Sequence, residues 1–245
     1  MKALIIRLDA PMISFGSVMV DQHGYIQQFP GLAMLTGLIA NALGWEHREF
    51  ERIQKLQNRL DFAARWDARP ERMVDYHTVD LSQPKMKETG WTTRGKPEGR
   101  RGAKGTRGGT HQRYRHYWID GLMTVALALK GDDSPNLDTV YDALSHPVRP
   151  LFIGRKTCLP ARPLLDPETP IVDGENLLEI LRQVPAWDRQ GRKQTGECSV
   201  VACWPAELGA TDRDSVRRVF DLKDWFNSIH AGSRWQAEGM LQVKP

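Results

Sequence analysis

Ala3-Leu4-Ile5-Ile6-Arg7-Leu8-Asp9-Ala10-Pro11-Met12-Ile13-Ser14-Phe15-Gly16 opens the chain and sets its fold. Residues 3–8 read as a buried strand, and Pro11 and Gly16 break the next stretch into a loop. A helix comes next. Pro30 suits a first helical turn, Leu32, Leu35, Leu38, Ile39, Ala42 and Leu43 share one helical face, and Gly44 is placed to close it. Gly37 inside that helix points to close packing. A second helix is expected over 48–60, with Phe50, Ile53, Leu56 and Leu60 as its apolar stripe. Residues 62–69 and 72–79 read as two strands of a hairpin about Pro70. Strands are expected again at 114–119 and 122–129, and a short helix at 136–144. Strand, helix, hairpin, strand, helix predicts an α+β, ferredoxin-like (RRM-like) core.

Residues 82–113 break this pattern. They hold seven glycines and no aliphatic β-branched residue. From Lys85 to His116 ten basic side chains stand against Glu88 and Glu98, a local charge of +8 in a chain of net +4, so the remainder carries −4. The segment lies between ordered strands and is therefore an insertion rather than a tail. The expected organisation is a domain over 1–165 with this insertion at about 82–113, and a small C-terminal region over 166–245. Residues 151–165 read as an ordered loop. Behind them come a helix at 175–184, a strand at 199–204, a helix near 221–230 and a short final strand.

The apolar run at 122–129 is far too short to cross a bilayer, so the chain reads as soluble, cytoplasmic and without a membrane partner. Three cysteines, Cys158, Cys198 and Cys203, fit a reducing compartment. Cys198 and Cys203 are five apart in an apolar run, so in a strand they face opposite ways and read as core residues, not zinc ligands.

Arginine and lysine supply charge along a phosphate backbone while glycine permits close approach. Arg94, Lys96, Arg100, Arg101, Lys104, Arg107, Arg113 and Arg115 thus make the insertion a candidate nucleic-acid finger. Trp91 and His111 add stacking surfaces that favour unpaired RNA. A solvated loop would have the same composition. Gly154-Arg155-Lys156, with Arg149 nearby, forms a second candidate anion site, which a surface turn with two solvated cations would match equally. Asp75 with Asp80, or Asp132 with Asp133, lack the spacing of a two-metal nuclease, and no phosphate-binding G-x-x-x-x-G-K-[ST] loop occurs. No metal and no cofactor are expected. A basic ribosome-associated protein would share the charged segment, and an interaction scaffold would share exposed Trp225, Phe226 and Trp235.

Four blocks carry a resemblance: Arg7 to Gly16 of the opening run, Gly37-Leu38-Ile39-Ala40-Asn41-Ala42-Leu43-Gly44, Arg115-His116-Tyr117-Trp118-Ile119-Asp120, and Gly154-Arg155-Lys156-Thr157-Cys158-Leu159-Pro160. In this order they resemble the CasD family, the guide-handle-binding subunit of type I-E CRISPR Cascade and a relative of the repeat-associated RAMP proteins. The resemblance implies a non-catalytic subunit that binds and caps the 5′ handle of crRNA. The first-strand loop with Met12, Ser14, Phe15 and Gly16, the first helix, and the loop with Arg149, Gly154, Arg155 and Lys156 would cradle the handle. The insertion would be the family's thumb, a basic β-hairpin that kinks the guide where handle meets spacer. Implied partners are the Cascade backbone and large subunits and, through the guide, target DNA. This chain has Gly31-Leu32-Ala33 where the family often has polar or basic residues, so a phosphate at that helix start would rest on backbone amides alone. Type I-C relatives cleave precursor RNA without metal. The alternative is therefore a metal-independent endoribonuclease, with Tyr76, His77, His116 and Tyr117 as candidates beside the thumb.

Overall fold

The computed structural model describes residues 1–80 and 110–244. The opening run is β1 (Lys2–Asp9), whose alternation sends Leu4, Ile6 and Leu8 to one buried face and Ala3 and Ile5 to the other. It pairs antiparallel with β8 (Leu122–Leu129) and with the short β9 (Ile171–Asp173). β5 (Leu60–Ala68) lies on the far side of β8, and β10 (Cys198–Pro205), β12 (Ile229–Val243) and β11 (Ser215–Asp224) continue outward. The result is one antiparallel sheet of seven strands in the order β11-β12-β10-β5-β8-β1-β9. The C-terminal strands thus extend the sheet begun by the N-terminal ones, through the pairs Ala202 with Arg65 and Cys203 with Ala64.

Helices cover both faces. On the first lie α1 (Leu32–Ala42), α2 (Phe50–Arg59) and α3 (Leu137–Ser145), which bury Leu35, Ile39, Leu56 and Val140 in one core with Ile6 of β1 and Leu127 of β8. On the second, α4 (Leu177–Gln183) buries Leu177, Ile180 and Leu181 against Ile5, Ala63 and Ala126. Asn136 and Asn176 cap α3 and α4 by accepting the amides of Thr139 and Glu179 at 2.9 and 3.0 Å. Pro30 falls outside α1, whose N-cap is Gly31, and Gly44 takes φ +76° just past its end, as a closing glycine should.

The second sheet holds β2 (Met12–Ile13), β3 (Gly16–Val20), β4 (His23–Ile26), β6 (Glu71–Asp80) and β7 (Thr110–Ile119). Here one expectation fails. β5 and β6 do not form a hairpin about Pro70, because the chain crosses from the first sheet to the second at that point. β6 instead pairs antiparallel with β7 along its whole length, from Glu71 opposite Ile119 to Asp80 opposite Thr110. Strand propensity cannot specify a partner, and the long insertion separates β6 from the one it has. The thumb expected over 82–113 lies outside the described residues up to 109, as do Trp91, Arg94, Lys96, Arg100, Arg101, Lys104 and Arg107. His111 falls in β7, with its side chain outside the described set.

The helix expected near 221–230 is also absent. Asp221 to Asp224 complete β11, the Asp224 carboxylate accepts the Asn227 amide at 3.0 Å in a tight turn, and Ile229 starts β12. A short apolar run permits either helix or strand, and the pairing of β11 with β12 across this turn decides for strand. Trp225 is buried against α1 and α2, its indole donating to Gln57 at 3.1 Å, whereas Phe226 and Trp235 are exposed as expected.

Arg7 lies inside β1. It is 1 % exposed, held at 2.7 and 2.8 Å by Asp67 and Asp166 and stacked on Trp187 at 4.5 Å. Arg65, equally buried, reaches the other Asp67 oxygen at 2.6 Å and donates to the carbonyls of Leu181 and Val184 at the end of α4. Two cations and two carboxylates, with Thr124 donating to Asp67 at 2.6 Å, satisfy one another within the core.

Candidate nucleic-acid interface

Three of the expected pieces meet. Ser14, in the loop after β1, donates its amide to Ile153 at 3.2 Å, and Gly154 packs so tightly on the Ser14 carbonyl that an added Cβ would lie 1.6 Å from it. Gly154 also holds φ +89°, so the turn needs glycine on both counts. From this turn the chain runs beside α1, where Asn41 donates to Pro150 at 2.9 Å. Between α1 and residues 149–159 opens a groove of about 950 Å³, lined by Met34, Gly37 and Asn41 of α1, by Arg149, Gly154 and Lys156, and also by His47 and Lys223.

The cations are unequal. Arg149 donates to the carbonyls of Gly44 and Trp45, both at 2.8 Å, and so ties down the end of α1. Arg155 lies over Tyr117 at 4.7 Å and donates to the carbonyls of His116 and Gly24 at 2.8 and 3.0 Å, bolting the turn to the second sheet. Arg113 donates to the Asp21 carbonyl at 3.0 Å. Lys156 and Arg115 are exposed. Ser14 and Phe15 are buried, Phe15 against Trp66 at 5.9 Å, so they support the loop from within; Met12 is half-buried and Gly16 exposed.

The start of α1 is not open to phosphate. The Leu32 amide already donates to the Asp221 carboxylate at 2.9 Å, and Arg234 holds that carboxylate from the other side at 2.9 Å. A second anion there would meet like charge.

Sequence reading missed a cluster of rings on one face of the second sheet. Register places Tyr76 opposite Tyr114, and His23 beside Tyr114. Ring centroids run from Tyr76 to Tyr114 at 5.1 Å, to His23 at 4.7 Å and to Tyr25 at 5.5 Å, with His116 beneath Tyr25 at 4.9 Å. The alternation of Tyr114 with His116, and of His23 with Tyr25, is visible in the sequence; their adjacency depends on a parallel pairing of β4 with β7 that is not. His116 is 8 % exposed, its Nε2 lies 3.4 Å from His23 Nδ1, and its Nδ1 has no partner among the described residues. Burial, then the charges of Arg72, His23 and Arg155, hold its pKa below the usual histidine value. Of the other candidates, His77 sits 2.5 Å from Asp75, while Tyr117 is buried in the core.

Cys203 packs in the first-face core and Cys198 borders the second-face core, so they point apart as their spacing requires. Among the described residues no three His, Cys, Asp or Glu side chains converge as metal ligands, and no helix is long and apolar enough to cross a membrane.

An α+β chain with one antiparallel and one mixed sheet, and a groove beside its first helix, is the class of protein that these features define. A family model described as CRISPR-associated protein (Cas_Cas5) matches residues 3–236, and the chain belongs to that family. Among curated proteins it is similar to the CRISPR system Cascade subunit CasD of Escherichia coli (strain K12), 29 % identical over 161 residues that make up 66 % of this chain and 68 % of that one. Among solved structures it is similar to a chain of a CRISPR RNA-guided surveillance complex, with TM-score 0.67 and 23 % identity, covering 99 % of this chain and 91 % of the other. A crystal structure of a Cas protein matches with TM-score 0.58 and 21 % identity, covering 99 % and 94 %. These two likenesses speak to the fold.

Proposed function

We propose that this chain is the non-catalytic subunit of a type I-E Cascade complex that binds and caps the 5′ handle of crRNA. The observation that carries the reading is the groove between α1 and the Gly154 turn, a turn that the loop after β1 holds in place through Ser14. Lys156 lines that groove, and the paired β6 and β7 lead from the neighbouring sheet into the basic segment. Within the seven-stranded sheet, the order β5-β8-β1-β9, with helices in the connections before β5 and after β8, supports a ferredoxin-like core. The basic segment then acts as the thumb that kinks the guide at the handle-spacer junction. Partners in this reading are crRNA, the Cascade backbone and large subunits and, through the guide, target DNA, all in the cytoplasm. RNA with the cognate repeat handle should bind far more tightly than a scrambled handle of equal length, measured by anisotropy at fixed salt. Equal affinity for the two would sink the proposal.

One observation favours the endoribonuclease alternative: His116, held neutral beside His23, has the protonation state of a general base. Incubating precursor RNA with the protein in EDTA separates the readings. The proposal expects intact RNA, whereas cleavage that His116→Ala abolishes would establish the alternative.

A further inference from the structure

We infer that the ring cluster on β4, β6 and β7 is a stacking platform for unpaired nucleobases. This rests on the RNA-binding reading and assigns it a second contact surface, distinct from the groove beside α1. Aromatic residues brought together in a sheet ordinarily serve the sheet itself, as cross-strand pairs that hide their faces. The run here hides only its middle. Tyr76 at one end is 50 % exposed and Tyr25 at the other is 36 % exposed, while Tyr114 and His23 between them lie nearly parallel, at an interplanar angle of 10°. His116 is buried and packs against Tyr25, with ring centroids 4.9 Å apart. The platform therefore ends in two exposed tyrosines, Tyr25 stacked on His23 at 11° and Tyr76 tilted by 36° against Tyr114, and rings already ordered cost a ligand little.

The surroundings select the ligand. By register Val20, Val74 and Arg72 share the face, and Val20 and Val74 are exposed beside the rings. Exposed Arg72 brings a cation to the rim, and its charge already reaches His116. Flat apolar faces bordered by a guanidinium fit bases with a phosphate backbone alongside, and a π face tolerates any base. A duplex keeps its bases stacked internally and cannot use such a row, so the ligand class is single-stranded RNA. The strands that carry the rings also lead into the basic segment, so a guide held by that segment would pass this surface.

The test uses the full chain and a fluorescein-labelled single-stranded oligoadenylate of about twelve nucleotides, in the range of single-strand site sizes. A second probe has the same backbone with abasic sites. Tyr76→Ala and Tyr25→Ala should each weaken oligoadenylate binding about tenfold, the scale of one lost base stack, and Tyr76→Phe should retain it. On the abasic probe the wild type and the Ala variants should bind alike. Tyr76→Leu keeps bulk without a π face, and its loss carries the test if the Ala variant fails to fold. Unchanged affinity in the Ala and Leu variants, or an equal loss on the abasic probe, would overturn the platform. The handle reading has its own readout. Preference for the cognate handle alongside unaffected tyrosine variants removes the platform alone, and stacking behaviour with no handle preference removes the handle assignment alone.

Discussion

At the scale of single residues, His116 shows how position changes a side chain's chemistry. Burial under Tyr25, with Arg72 and Arg155 near, makes its charged form costly in the fold, whereas in the unfolded chain it titrates near 6.5. Below that value the unfolded chain takes up the proton first, so His116 favours folding fully above about pH 6.5 and progressively less as pH falls toward its lowered folded pKa. The melting temperature should fall on acidification from pH 7.5 to 5, and His116→Gln should flatten that dependence; parallel curves for the two proteins would refute it. The same scale explains why Arg149 and Arg155 are not the plain anion ligands that their sequence suggests. Their residue type is legible, but each gives two of its N–H groups to backbone carbonyls, Arg149 to Gly44 and Trp45 and Arg155 to His116 and Gly24. Gly154 is legible as a turn residue, and its fit against Ser14 is not, since that contact joins positions far apart in the chain.

At the scale of elements, the periodic pieces can be read and their partners cannot. β1, β8, α1 and α3 lie where apolar spacing and capping residues put them, because those signals are local. The pairing of β6 with β7 and the parallel contact of β4 with β7 depend on chain reversals that no local signal encodes. Arg7 and Arg65 belong here too, since charged residues inside apolar strands become intelligible only once Asp67, Asp166 and the end of α4 are placed around them. Asp67 is the hinge of that set: it accepts from Arg7, Arg65, Thr124 and the Trp187 amide, the last at 3.0 Å. Asp67→Ala leaves Arg7 with Asp166 alone and strips the buried Arg65 of its carboxylate partner, and should cost about 3–5 kcal/mol, read from the midpoint of urea unfolding. A loss under about 1 kcal/mol would mean that water already reaches the network.

At the scale of the whole molecule, the charge network and the sheet order say the same thing about how the chain holds together. Composition suggests residues 166–245 as a small appended region, yet β10 lies directly on β5, and α4 covers Ile5, Ala63 and Ala126 of the N-terminal strands. Asp166 and the carbonyls of Leu181 and Val184 supply partners that Arg7 and Arg65 need inside the core. A chain ending at residue 165 would uncover the second face of the sheet, open β5 as an edge and leave one guanidinium's worth of buried charge unmatched. Such a truncation should fail to give a soluble, cooperatively melting protein, while the full chain should unfold in one transition followed alike by tryptophan fluorescence and far-ultraviolet circular dichroism. A soluble fragment with a sharp melt of its own would show instead that the N-terminal strands and α1 to α3 form a core sufficient by itself. The C-terminal strands would then serve something other than stability.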